Sequence, residues 1–502
     1  MLSYLAVFSI LFVALVSRGG WDVPFQALIS VISALAILTN AGYFLLKIKK
    51  NSAPNLFLLR RQEQEQQEEE TDSPNIIEGY FISSAAVFAA FFIFTAYLLA
   101  RFFFEYKKSF VVASALPPGG VSNIYNEFVN WATYGAVYLS VTGLVALHKE
   151  RAREFVFKSV MWLGCFAAAF FLIQKFFTIQ GPSDYSTWGF LPKKNVFNSV
   201  VFLALLVFIG SWRTSTLLSA GESAPESESG EIYRKKSASQ WVCFALVAAA
   251  CVMSVTVSNF IGFIAASVFL LIRRHRGGDE RSASFQPLLR SGGYNRRVLI
   301  FASVVFVAVA ALKLTEPNVT DRVVWYKAAL RMFAANPLTG VGAGNFGKAL
   351  PGYLENGHHL LRTIYAHSFY LETLSETGVI GFVILAALLY FVLKKTEDRR
   401  SLAAALFLLS TAATDFIFSF TIIPVFFFAL MAAGRKTAPV VSYDGKSMPS
   451  SPQEGKEVSS SSCCAPHKII FLTAAYALFL FASGAMKYFW WHKEYLKEVI
   501  YR

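Results

Sequence analysis

The sequence predicts an all-α polytopic transmembrane helical bundle of about twelve to thirteen spans with one partly helical polar loop. Three observations carry that expectation. Apolar residues make up 55% of the 502 and charged residues 16%, against roughly 45–50% and about 25% in soluble domains. Windows of about 18 or more nearly charge-free residues recur along the chain, each long enough as helix to cross a hydrocarbon core of ~30 Å. With the N-terminus inside, six alternate loops hold 28 of the 46 lysines and arginines, which is the positive-inside bias of helical membrane proteins. The net charge of +14 is read as setting orientation, so no nucleic-acid module is needed to explain it.

In order, the expected spans are 2–17, 25–46, 79–104, 124–147, 155–176, 196–212, 240–257, 259–272, 298–315, 369–393, 402–420, 422–434 and 468–488. The first follows a bare methionine with no basic n-region and no small-residue cleavage site, so it is read as a retained span and not a removed signal. The basic loops 47–75, 148–154, 213–239, 273–297, 394–401 and 435–468 separate successive pairs on one side. The pairs 240–257/259–272 and 402–420/422–434 are each one apolar run broken by a short polar turn. Residues 1–120 form N-terminal spans, 121–435 a membrane core including loop 316–368, 436–467 a disordered linker, and 468–502 a last span and tail.

Three loop stretches read as tethers: the charged run Arg60–Asp72, the Ser/Glu-rich Ala220–Ser239 and the serine-rich Ser447–Ser462. None can bury a core. The last span with its tail, Trp490–Arg502, reads as an appendage anchored at the interface. Cys165, Cys243 and Cys251 fall in spans, and Cys463 and Cys464 in a tail; no disulfide scaffold is expected.

Between two hydrophobic runs lies a polar, glycine-punctuated island on the side opposite the basic loops. It reads DRVVWYKAALRMFAANPLTGVGAGNF from Asp321 and AHSFYLETLSETGVIG from Ala366. Asp321 is placed to cap a helix that puts Arg322, Trp325 or Tyr326, and Ala329 on one face. Pro337 and Gly340, Gly342 and Gly344 end it. The island gathers Arg322, Arg331, Arg362, His358, His359 and His367. No Cys-x-x-Cys or His-Glu-x-x-His context accompanies these histidines, so no metal is expected. Arginine suits a phosphate-bearing leaving group because it stays charged and offers paired donors. Histidine suits a base that titrates near neutral.

These two stretches resemble the signature region of the O-antigen ligase and polymerase superfamily, bacterial integral-membrane glycosyltransferases. A looser likeness extends back through Trp188–Asn195 and forward to about Arg435. The resemblance implies a donor glycan carried on a polyprenyl diphosphate, a glycolipid or glycan acceptor, the lipid bilayer as a partner, and neither cofactor nor metal. It also implies a multi-pass protein of the bacterial inner membrane whose site faces the periplasm. The family's histidine falls on His367 and one arginine on Arg322. A second family arginine would stand in the turn Val257-Ser258-Asn259-Phe260, where this chain has Asn259. Arg331, Arg362, Lys193 and Lys194 are candidates to supply that charge, and Asn259 retains a hydrogen-bonding group.

The expected roles are then His367 as base and Arg322 as diphosphate clamp, with inversion at the anomeric centre. Arg331, Arg362, Asn259, Lys194, Trp325 and Tyr370 are candidates for binding; the two rings serve equally as packing residues. Glu376 is expected to support the loop by hydrogen bonds. Asp415 lies in an apolar run, where a carboxylate costs about 2.5–3.5 kcal/mol on insertion scales and needs a partner; it is expected to orient His367 or pair with an arginine. Three acceptors stay open: lipid A–core, another lipid-linked repeat unit, or a protein. A lipid-linked sugar transporter or flippase is the rival of another class. Against it, no internal repeat is visible and the polar residues gather on one outer face.

Overall fold

The computed structural model describes residues 1–16, 23–52, 74–111, 119–177, 191, 193–219, 229–271, 318–355, 363–435 and 475–488. Expected span 298–315, Arg362, His358 and His359 lie outside them, as do the tethers 60–72 and 447–462. The described chain is helical, and its one extended pairing is a bridge between Thr396 and Arg435.

The helices are α1 (Leu2–Val16), α2 (Val23–Ser52), α3 (Pro74–Val111), α4 (Gly119–Phe176), α5 (Lys194–Ser219), α6 (Ser229–Ser254), α7 (Val257–Leu271), α8 (Asn318–Ala335), α9 (Phe346–Ala349), α10 (Phe369–Lys394), α11 (Arg399–Ala412) and α12 (Ile422–Ala433), followed by α13 over 475–488. Five described segments are long and apolar enough to cross a membrane: Pro24–Tyr43, Ala86–Glu105, Asn123–Phe176, Lys194–Ser211 and Phe369–Lys394. The third is two helices joined at Lys149, whose φ of 47° and ψ of −125° reverse the chain where the basic loop 148–154 was expected.

At the centre, every residue of α12 is buried, as an element apolar all round must be. Phe428 meets Phe91 edge-on at 5.0 Å and stacks near Tyr134 at 6.2 Å. Contacts sort the helix ends into the two sets that the charge pattern predicts. At one end the Arg153 side chain donates to the carbonyls of Ala433 and Arg435, Arg400 pairs with Glu154 and Asp398, and Arg399 donates to the carbonyl of Phe269. At the other, Asn123 donates to the carbonyl of Gly344 in the island.

The structure corrects three expectations. The run 402–420 is not one helix: α11 stops at Ala412, and 413–421 is irregular apart from one 3-10 turn, Ile417–Ser419. A helix of 14 residues rises only about 21 Å, short of the ~30 Å core. At membrane depth, irregular backbone is tolerated only inside protein or against a cavity; in this turn Ala413 and Thr414 are exposed and residues 415–418 are buried. Secondly, α6 begins at Ser229, inside the stretch expected to be a tether. Thirdly, α13 is no appendage. Lys487, 1% exposed, donates to Asn130, and the Tyr476 hydroxyl donates to the carbonyl of Ala132.

Candidate functional site

The island is built on a break in α10. Gly378 has φ 65° and ψ −171°, so the helix interrupts its own hydrogen-bond ladder there. The stranded groups are met by the loop that follows α8. Val341 and Gly342 donate to the carbonyls of Ser375 and Glu376, while Val379 and Ile380 donate to those of Pro337 and Leu338. Backbone lies directly on backbone, which explains the glycines. A Cβ on Gly340 would sit 2.3 Å from the Glu376 carbonyl carbon, and one on Gly378 2.3 Å from that of Leu338. Both positions also have positive φ, a region that favours glycine.

Two buried glutamates one helical turn apart fasten the rest of the loop. Glu376 accepts from the amides of Gly344 at 2.9 Å and Phe346 at 2.8 Å, the loop support expected of it. Glu372 accepts from the amide of Ala366 at 2.9 Å and the hydroxyl of Ser419 at 3.1 Å. It ties the residue before His367 to the irregular turn after α11. Sequence reading passed over Glu372. The signal was its spacing, four residues from Glu376 on a face that points away from lipid.

His367 sits where these pieces meet. Its φ of 55° is one of two positive values among the described non-glycine residues, and such backbone strain clusters at functional sites. The Trp325 ring lies over the imidazole, centroids 4.6 Å apart and planes 17° from parallel. Phe416 meets it edge-on at 4.5 Å. Tyr326, one residue beyond Trp325 on α8, donates its hydroxyl to the His367 carbonyl at 3.0 Å. Nδ1 is buried with no hydrogen-bond partner among the described residues, which leaves Nε2 as the ring nitrogen open to an incoming group. Burial, then the positive charges of Arg322 and Lys193, hold the imidazole neutral and push its pKa down to about 3.

Arg322 donates through one terminal nitrogen to the carbonyl of Thr414 at 3.1 Å and forms no ion pair among the described residues. That bond sets its charge beside Asp415. The Asp415 carboxylate is 1% exposed, accepts from the amide of Phe416 at 2.9 Å and is bonded closely by the Asn195 side-chain amide. It supports the turn carrying Phe416 and does not itself bond His367. Asn195 in turn accepts, through its carbonyl, from Asn259 at 3.0 Å.

The other expected binding residues lie as follows. Asn259 is fully buried. It accepts from Ser199 and donates to Asn195 and Thr256, so its amide is spent joining α7 to α5. Arg331 is nine residues beyond Arg322, and at 100° per residue it leaves the opposite face of α8. It pairs with Glu355 and donates to the carbonyl of Tyr353. Tyr370 donates to the carbonyl of Leu409 at 2.9 Å, bridging α10 and α11. Lys194 is half-buried at the first turn of α5 and Lys193, just before it, is exposed. Arg322, Trp325, His367 and Asp415 are thus brought together, with Lys193 close by. Among the described residues no three histidine, cysteine, aspartate or glutamate side chains form a metal-binding group.

An all-helical, multi-pass membrane protein whose polar groups converge at one end is what fold and site define. Residues 241–386 match the family model described as O-Antigen ligase, a stretch of 146 in 502. It runs from α6 through the island into α10, containing Arg322, Trp325, His367 and both glutamates. No curated protein matches the chain. The family match supports a membrane glycosyltransferase-like role in O-antigen or lipopolysaccharide assembly, with lipid-linked glycan and glycolipid as the substrate classes.

Proposed function

We propose that this protein is an O-antigen ligase of the bacterial inner membrane that moves a glycan from a polyprenyl diphosphate to a hydroxyl of lipid A–core, on the periplasmic side. The observation that carries this reading is His367, strained, half-buried and neutral, with the guanidinium of Arg322, in no ion pair among the described residues, acting on it.

In the reaction the C1–O bond to the diphosphate breaks as the acceptor oxygen bonds to C1 from the opposite face, inverting the centre. Nε2 of His367 takes the hydroxyl proton, with the ring's own proton on Nδ1. Arg322 faces the negative charge left on the diphosphate, where two parallel donors outperform one. The metal-free chemistry needs only these two groups and proximity. The short helices α11 and α12 bring the site to the depth of lipid headgroups, where a membrane-anchored donor presents its diphosphate.

The apo pKa of about 3 makes a weak base. Burial is the larger cause of that low value and the positive charges of Arg322 and Lys193 the smaller one; the donor acts on the second. An anionic diphosphate between Arg322 and the imidazole removes that repulsion and raises the histidine's basicity as the complex forms. The reading is tested by deleting the gene and separating surface glycans. Loss of all long-chain material from the core supports it. Single repeat units left on the core would mean a polymerase, and a changed glycoprotein a protein O-oligosaccharyltransferase. Lipid-linked glycan held on the inner leaflet would mean a flippase.

A further inference from the structure

Resting on that reading of the site, we propose that Asn195 is a positioning residue for the transfer: it fixes the turn 414–416, and that turn sets where Arg322 stands relative to His367.

Three consecutive residues meet both the clamp and the base. The Thr414 carbonyl accepts from the Arg322 guanidinium at 3.1 Å, and the Phe416 ring meets the His367 imidazole edge-on at 4.5 Å. Asp415 stands between them in the chain, 1% exposed, and each of its carboxylate oxygens has one donor. The Phe416 amide donates to Oδ1 at 2.9 Å, and the Asn195 side-chain amide donates to Oδ2. The first bond is made within the turn. The second comes from α5, so of the two only Asn195 ties the turn to the bundle. Such a tie is needed there, because the turn lies between the end of α11 at Ala412 and the 3-10 turn that starts at Ile417, and no regular helix runs through it.

Asn195 is itself held. Its backbone carbonyl accepts from the Asn259 side-chain amide at 3.0 Å, and that amide also donates to the Thr256 hydroxyl at 2.9 Å. The Ser199 hydroxyl lies 2.9 Å from the same carbonyl and 2.8 Å from the Asn259 side-chain oxygen. Ser199 and Asn259 are both 0% exposed. Burying polar groups carries a desolvation cost that apolar side chains avoid, so packing α5 against α7 does not call for them. A satisfied polar network instead specifies one arrangement, and this one ends on the carboxylate of the turn. Asn195 acts through Asp415, and Asp415 through the residues on either side of it.

The test is steady-state transfer by the full-length protein in vesicles, from polyprenyl-diphosphate-linked glycan to lipid A–core, with NMR of labelled histidines in the same variants. His367→Gln assigns the His367 resonance. Asn195→Ala is expected to lower kcat per folded molecule about ten- to a hundredfold, the upper figure being the cost of a misplacement of ~1 Å, with the donor KM little changed. The His367 resonance should move with it, since the Phe416 ring shifts. Asn195→Asp sets two carboxylates face to face and should lose more. Adding Asp415→Asn to it exchanges the two groups, so one amide again donates to one carboxylate, and most of the rate and the original resonance should return. Asn259→Ala, which leaves Ser199 on the Asn195 carbonyl, should lose less than Asn195→Ala. Should Asn195→Ala fail to insert, Asn195→Gln carries the comparison, because it keeps the amide and displaces it by one methylene. A slower rate with the resonance in place overturns the proposal, as does an exchange that recovers neither. The resonance needs no glycan. If the natural chain transfers nothing while the resonance moves and returns as expected, the ligase reading fails and the positioning of the imidazole stands. If the natural chain transfers and Asn195→Ala matches it, only the positioning fails.

Discussion

The Trp325 indole covers the face of the His367 imidazole, with centroids 4.6 Å apart and an interplanar angle of 17°. The stack joins α8 to the strained residue just ahead of α10. Trp325→Ala opens the imidazole to water, and its pKa should climb from about 3 back toward the ordinary value near 6.5. The stacking lost is worth about 0.5–1.5 kcal/mol. We expect kcat to fall more than KM for the donor changes, with Trp325→Phe recovering part of the rate. Steady-state kinetics with histidine NMR checks both.

The depressed pKa also sets a pH dependence of stability. Between pH 6.5 and about 3 the unfolded chain binds a proton on this histidine that the folded chain refuses. Stability from this group is therefore whole above pH 6.5 and declines as pH falls toward 3. Thermal unfolding in detergent between pH 7 and 4 should show that decline, reduced in His367→Gln. Farnesyl diphosphate should move the imidazole titration upward.

Replacing Arg322 by lysine keeps the charge and removes the fork. The loss should appear in kcat/KM as about ten- to a hundredfold, the range of a charged hydrogen bond, with folding unchanged. Transfer assays on Arg322→Lys and Arg322→Ala measure it; equal activity of lysine and arginine would show that only charge matters.

The break in α10 makes a separate prediction. Gly378→Ala and Gly340→Ala each force a side chain into left-handed backbone, about 1–3 kcal/mol of strain, and drive a Cβ to 2.3 Å from a facing carbonyl carbon. Both should lower Tm or prevent insertion. Gly352, with nothing within 4 Å, should tolerate alanine.

Glu372 should behave differently from a packing residue. Its removal leaves the Ala366 amide and Ser419 hydroxyl without their partner, about 1–3 kcal/mol for a buried group. Because Ala366 precedes His367, we expect Glu372→Ala to shift the pH profile of transfer as well as Tm. Glu372→Gln, which keeps one acceptor, should recover part of each.

What was legible in the sequence was whatever repeats or breaks a local rule. Apolar runs gave the helices, and the basic loops gave the end that Arg153, Arg400 and Arg399 now mark. Glycines at 340, 342 and 344 announced a loop; the helix before it starts at Asn318, so Asp321 lies in its first turn and is not its cap. What stayed hidden depends on partners distant in the chain. Gly378 reads as an ordinary helix glycine until the carbonyl of Leu338 is laid against it. Asp415 reads as a costly charge in a span until α11 is seen to end three residues earlier. The last span reads as an appendage until Lys487 is found bonded to Asn130. Asn259 looked like a weakened substrate contact because pattern alone cannot see that Ser199, Asn195 and Thr256 already use its amide.

The central claim is that His367 is the base of a transfer reaction. Its most direct measurement is a single turnover in vesicles holding the protein, a polyprenyl-diphosphate-linked glycan and lipid A–core, comparing the natural chain with His367→Ala. The account predicts that the variant inserts and binds donor normally while transfer slows by about 10²–10⁴-fold, the usual contribution of a positioned base. Transfer at the natural rate by His367→Ala would contradict it.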